Sequence, residues 1–137
     1  MVYVFDSSFV GALIIPDEKN PIVGRLRTSI EEDEDIFVPQ LLWYEISNIF
    51  RSLTLRKRYS FGDVLQFFPL LTAIRLTTDF ETGAAYSEKI LRLCNDYSLS
   101  AYDAAYLELA GRKKAVLCTL DENLRKAAKK YGVVTLK

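Results

Sequence analysis

Asp6, Glu45, Asp103 and Asp121 are the residues here whose types and placement could do chemistry, and they would do it as a carboxylate cluster. Asp103 lies in Leu-Ser-Ala-Tyr-Asp-Ala-Ala-Tyr-Leu-Glu-Leu-Ala, residues 99–110. Ser100 is a good N-cap, and Asp103 follows it by three residues, as in a capping box. Asp103, Leu107 and Ala110 share i, i+4, i+7 spacing, so one helix face carries an acid and then apolar groups. An acid on a core-facing stripe is costly to bury unless it is paired or holds a cation. Capping alone would account for Asp103 in isolation. Glu45 interrupts a stripe of Leu42, Ile46, Ile49, Phe50 and Leu53, and a side chain reaching back to water would account for it in isolation. Asp6 ends the apolar run Val2–Phe5, and Asp121 follows the apolar run 115–118. Four acids at matching places need a common reason.

The chain contains no histidine. That excludes Ser-His-Asp and Cys-His catalysis, histidine acid–base chemistry and histidine metal ligands. Cys94 and Cys118 cannot make an ordinary zinc site without histidine. Each sits in an apolar segment, where packing is the simpler role. Lys plus Arg balance Asp plus Glu at 18 each, so nucleic-acid binding would have to rest on local charge. Half the residues are hydrophobic and about a quarter charged, as in a soluble globular protein of one domain. No apolar run reaches the roughly 18 residues of a membrane span. Met1 leads directly into Val-Tyr-Val-Phe-Asp without a signal-peptide pattern, so a cytoplasmic protein is expected.

The elements that must position the acids alternate along the chain. Strands are expected at Val2–Phe5, 36–38, 74–77, 115–118 and 133–136. Helices are expected at 7–15, from Pro21 to about 30, at 39–56, 61–71, from Asp79 as N-cap to 97, at 100–112 and at Glu122–Tyr131. Phe80, Ala84, Leu91 and Cys94 would stripe the fifth of these. Pro69 should end or kink the helix 61–71, whose aromatics and leucines exceed the needs of one core face. The acidic run 31–35 reads as a solvated turn. This alternation predicts an α/β fold, three-layer α/β/α, with a central parallel sheet of about five strands in one domain, residues 1–137. Ligands of such sheets bind beyond the carboxyl ends of the strands. Four carboxylates there repel one another unless a cation sits among them, and Mg²⁺ or Mn²⁺ bound through oxygen is the natural one. Ser8 and Thr119 could support the ligands from behind. Phosphodiester hydrolysis is the leading chemistry.

Asp6 with Ser8 after the first strand, Glu45 on its helix, Ser-Ala-Tyr-Asp103-Ala-Ala-Tyr-Leu, and Thr119-Leu-Asp121-Glu-Asn-Leu124, taken in order, resemble a PIN-domain ribonuclease. The length and the lack of extra domains resemble a VapC-type toxin of a toxin–antitoxin pair. The match runs over nearly the whole chain; 60–78 corresponds only as helix followed by strand. The resemblance implies a metal-dependent endoribonuclease in which Asp6, Glu45, Asp103 and Asp121 hold the metal. It also implies an RNA substrate, a homodimer and a cognate antitoxin that occupies the groove. The neutral overall charge suits RNA only if 56–58, 112–114 or 125–130 concentrate near the site. The rival readings are a PIN-like module that binds RNA or protein without cutting, and a receiver-type signalling domain. The receiver would need an acidic pair near the first strand and a Lys after a late strand; Asp6 stands alone, and no Lys follows Cys118 directly. An interface role, in a homodimer or under an antitoxin, is expected for part of the surface of helix 61–71 together with helix 39–56.

Overall fold

The computed structural model describes residues 1–16, 20–21, 23–24 and 34–136. Four parallel strands, β1 (Val2–Phe5), β2 (Asp35–Pro39), β3 (Thr77–Asp79) and β4 (Val116–Cys118), lie in the order β3-β2-β1-β4. The helices are α1 (Ser7–Ile14), α2 (Leu41–Leu55), α3 (Phe61–Leu65), α4 (Phe68–Ala73), α5 (Ala84–Tyr97), α6 (Ala101–Lys113) and α7 (Glu122–Tyr131). The result is the expected three-layer α/β/α arrangement. Val4 and Phe5 in the central strand are fully buried, which is why that run is apolar on both faces. Phe5 stacks on Phe9 of α1 at 4.8 Å, joining the first strand to the helix that follows it. α1 packs on α2 and α4, while α6 covers β1, β2 and β4 and is itself covered by α5.

That double cover explains the composition of α6. Every residue of it from Ala104 to Ala110 is buried. Alanines let it approach both neighbours. Gly111 lies so close to Tyr131 that a Cβ there would meet the ring at 2.7 Å. Glu108, 1% exposed, is the exception to apolar content, and it is held by Lys89 at 3.0 Å and Arg112 at 2.9 Å. Arg112 also grips Asp79 at the end of β3, at 2.7 Å. Burial opposes ionisation of Glu108, but the bonds and charges of Arg112 and Lys89 outweigh it and hold its carboxyl below the usual range.

Several elements sit differently from the sequence expectation. α4 continues to Ala73, and Arg75 then takes a left-handed turn, so the third strand begins at Thr77 rather than at Ile74. Asp79 is therefore the last strand residue and not a helix cap. α5 is capped by Gly83, and Phe80, outside it, is 72% exposed. The buried residues of α5 are Ile90 and Leu93, flanked by Tyr86 and Tyr97, while Leu91 faces outward. Pro69 does not end a helix: it stands in the first turn of α4, where its missing N–H is harmless, and residues 61–71 divide into two short helices. The last expected strand, 133–136, reduces to one bridge between Thr135 and Leu117. Of the helix expected from Pro21 and of the acidic run, residues 22 and 25–33 lie outside the described residues; Asp35 opens β2.

Candidate active site

Asp6 is the anchor. The strand ends at Phe5, and Asp6 caps α1, accepting the Phe9 amide at 2.9 Å and the Ser8 hydroxyl at 2.7 Å on Oδ1. Thr119 Oγ1 donates to its other oxygen. Ser8 and Thr119 in turn accept the amides of Leu120 and Asp121, at 3.1 and 3.0 Å. The two supporting hydroxyls expected from the sequence thus stitch the loop after β4 to the end of β1. Asp121 begins α7 and takes the amides of Asn123 and Leu124, at 2.8 and 3.1 Å, both on Oδ1. Oδ2 is left for another partner.

Ser100, not Asp103, caps α6: its Oγ accepts the Asp103 amide at 3.2 Å. The return bond that would complete a capping box is absent, in contrast to Ser60 and Asp63, which make both. A bond to the Ser100 side chain still favours the charged Asp103 carboxylate, but burial and its acidic neighbours outweigh it. Glu45 in α2 accepts the Tyr106 hydroxyl at 2.6 Å. Tyr106, 2% exposed, was not singled out in the sequence; its place three residues after Asp103, on the helix the site shares, is the signal that could have found it. The Glu108–Arg112–Asp79 network was missed as well, because its members come from separate elements.

The charges of the four acids act on one another. Burial raises the Asp6 carboxyl above its ordinary range, against its three hydrogen bonds, and Asp121 adds to the rise. Burial likewise raises Glu45, with further contributions from Asp103 and Asp6. Asp103 is raised by burial, then by Asp121 and Asp6. Asp6, Glu45 and Asp103 thus each carry a charge opposed by burial and by at least one other acid. Among the described residues, no three acidic or cysteine side chains already converge as a ready-made ligand set. Burial, joined by the Glu45 bond, also raises the Tyr106 hydroxyl, which stays protonated and acts as a donor. Cys118 is buried, its thiol pushed up, and Cys94 is half-buried; both are free thiols.

Of the expected basic clusters, Arg112 is consumed by its ion pairs, and Lys113 lies 4.6 Å over the Phe37 ring. Arg125 bonds the Thr119 carbonyl at 2.8 Å and pairs with Glu122. Tyr106→Phe keeps the buried ring but removes the donor to Glu45. The expected result is a destabilisation of about 1 kcal/mol and a Glu45 carboxyl raised further, because a bond that favours its charged form is gone. Thermal unfolding and a carboxyl carbon NMR titration read the two effects.

A parallel α/β sheet with coupled acids at its carboxyl edge defines a class of single-layer-sheet domains whose ligand sits outside the strand ends. The sequence matches the PIN domain over residues 3–130, and the chain belongs to that family. No curated protein matches it. Solved structures share the fold at low identity. PAE2754 from Pyrobaculum aerophilum superposes with a TM-score of 0.74 at 19% identity, over 98% of this chain and 89% of that one. VapBC2 from Rickettsia felis, bound to a DNA fragment from their promoter, gives 0.68 at 11%, over 98% and 97%. FitAcB from Neisseria gonorrhoeae gives 0.60 at 18%, over 100% and 97%.

Proposed function

We propose that residues 1–137 form a single PIN-like nuclease domain, a Mg²⁺- or Mn²⁺-dependent endoribonuclease acting as the toxin of a toxin–antitoxin pair. The observation that carries the reading is the placement of the four acids, Asp6 directly after β1, Glu45 in the helix after β2, Asp103 in the first turn of α6 and Asp121 at the N-cap of α7, with burial and neighbouring carboxylates raising Asp6, Glu45 and Asp103. Hard oxygen donors held together at an electrostatic penalty fit a divalent cation, which would relieve it. Bound there, the metal would supply Lewis-acid polarisation of a phosphodiester and an activated water. Asp6, fastened by Ser8, Thr119 and the Phe9 amide, is the rigid member. Glu45 is oriented by Tyr106. Asp103 is held only through Ser100, and among the described residues no hydrogen bond reaches Asp121 Oδ2.

The partners proposed are RNA, a cognate antitoxin and a second copy of the chain, in the cytoplasm. Among the described residues no helix is long and apolar enough to cross a membrane. Phe61, Leu65, Phe68 and Leu70 are 42–70% exposed and supply an apolar face for an antitoxin or a second copy. Phe67 does not belong to it: it is buried against Phe50 and Tyr59, at 5.5 and 5.3 Å. An antitoxin cation inserted among the four acids would quench their repulsion and compete with the metal. The second reading, a catalytically silent RNA- or protein-binding module, draws on the finding that among the described residues no three potential ligands converge as a preassembled set. Incubation of total RNA with the protein in Mg²⁺ or Mn²⁺, with the ends mapped, separates the two. Discrete cleavage that EDTA abolishes is expected; no cleavage, together with no divalent binding by calorimetry at millimolar metal, would leave the silent module.

A further inference from the structure

We infer that the groove between the α5–α6 turn and the outer face of α7 carries the backbone of single-stranded RNA flanking the cleavage site; this rests on the nuclease reading. The groove has a volume of about 330 Å³ and is lined by Asp96, Tyr97, Ser98, Asn123, Lys126 and Lys130 among others. Its walls adjoin, along the chain, the segments that carry two of the acids. Leu99 in its wall adjoins the Ser100 cap of the Asp103 helix, and the Asn123 amide donates to Asp121. A strand cut at the acids would pass directly into it.

Charge selects the occupant. Lys126 and Lys130 are exposed, and among the described residues neither joins an ion pair, so the groove has two free cations against one carboxylate, Asp96. They lie one turn apart on α7, a rise of about 6 Å that suits successive phosphates of an extended strand. The other basic clusters do not compete. Arg112 and Lys113 are engaged within the fold. Residues 56–58 follow the far end of α2, with Arg56 about 16 Å along the helix axis from Glu45, against about 8 Å for Lys126 and about 14 Å for Lys130 along α7 from Asp121.

The test is binding of a labelled oligouridylate, followed by fluorescence anisotropy in EDTA across a salt series. Lys126→Gln/Lys130→Gln is compared with wild type and with Arg56→Gln/Lys129→Gln, which changes the charge equally but off the groove. The groove variant is expected to bind on the order of tenfold more weakly at low salt, with a salt slope lower by about 1.4, at about 0.7 per lost phosphate contact. The control variant should stay within about twofold of wild type. Equal weakening by both variants, or an unchanged groove variant with a native melting temperature, would overturn the inference, whether or not the groove is then found to hold an acidic peptide. The nuclease reading fails separately: a wild type that binds through the two lysines yet never cuts in Mg²⁺ would sink the nuclease and leave the groove as an RNA site.

Discussion

Asp103→Asn is expected to reduce metal-dependent RNA cleavage by on the order of a thousandfold while making the metal-free protein more stable. The two effects have one cause. At neutral pH the Asp103 charge is opposed by burial and then by Asp121 and Asp6, which together outweigh its bond to Ser100. A carboxyl raised in the folded state is a liability above its folded pKa, and the liability fades as pH falls through that value. The amide removes it at pH 7. The melting temperature should rise by about 2 °C without metal, the gain should shrink on acidification, and added Mg²⁺ should stabilise the wild type more than the variant. Asp6→Asn should not share the gain, because Asp6 accepts three hydrogen bonds that an amide cannot all accept. Scanning calorimetry with and without metal, beside a cleavage assay, reads all of this. A lower melting temperature for Asp103→Asn at pH 7 would return Asp103 to a structural role.

The largest expected effect on stability lies away from the acids. Arg112→Met leaves Glu108 buried with only Lys89 as partner and frees Asp79 from its clamp. Removing one partner of a buried pair costs about 3 kcal/mol, at the lower end of the usual range because Lys89 remains; the melting temperature should fall by about 10 °C. Glu108→Gln added to that variant should recover part of the loss. The sign with pH is the reverse of Asp103. Glu108 and Asp79 lie below their ordinary values, so their contribution is present above the unfolded pKa near pH 4 and is lost as pH falls through the folded values. Arg112→Met should therefore flatten the acid limb of the stability profile. Chemical denaturation between pH 3 and 7, about the span of the carboxylates, measures it. A fall of less than about 2 °C at pH 7 would show that the network contributes no more than surface pairs do.

What was readable along the chain was local. A continuous apolar run such as Val2–Phe5 can only be a buried strand, a Ser three residues before Asp can only start a helix so cheaply, and Gly132 after Tyr131 stops one. The alternation of such signals was enough for the α/β layers, and the acids stood out because each interrupted or ended an apolar segment. The hydroxyls of Ser8 and Thr119 were legible for the same reason, lying within two residues of an acid. Whatever depended on residues distant in sequence was not legible. The pairing of Tyr106 with Glu45 spans 61 positions and that of Arg112 with Asp79 spans 33. No periodicity records a partner on another element. The start of β3 and the stripe of α5 were misplaced because the left-handed turn at Arg75 and the cap at Gly83 set both boundaries, and neither residue breaks the apolar pattern around it. The helices 61–71 showed an excess of apolar residues, but only the packing buries Phe67 between Phe50 and Tyr59 while Phe68, edge-on to Phe50, stays part-exposed beside Phe61, Leu65 and Leu70. The chain's charges balance in composition, and it took the fold to bind Arg112 and Arg125 internally and leave Lys126 and Lys130 open along one groove.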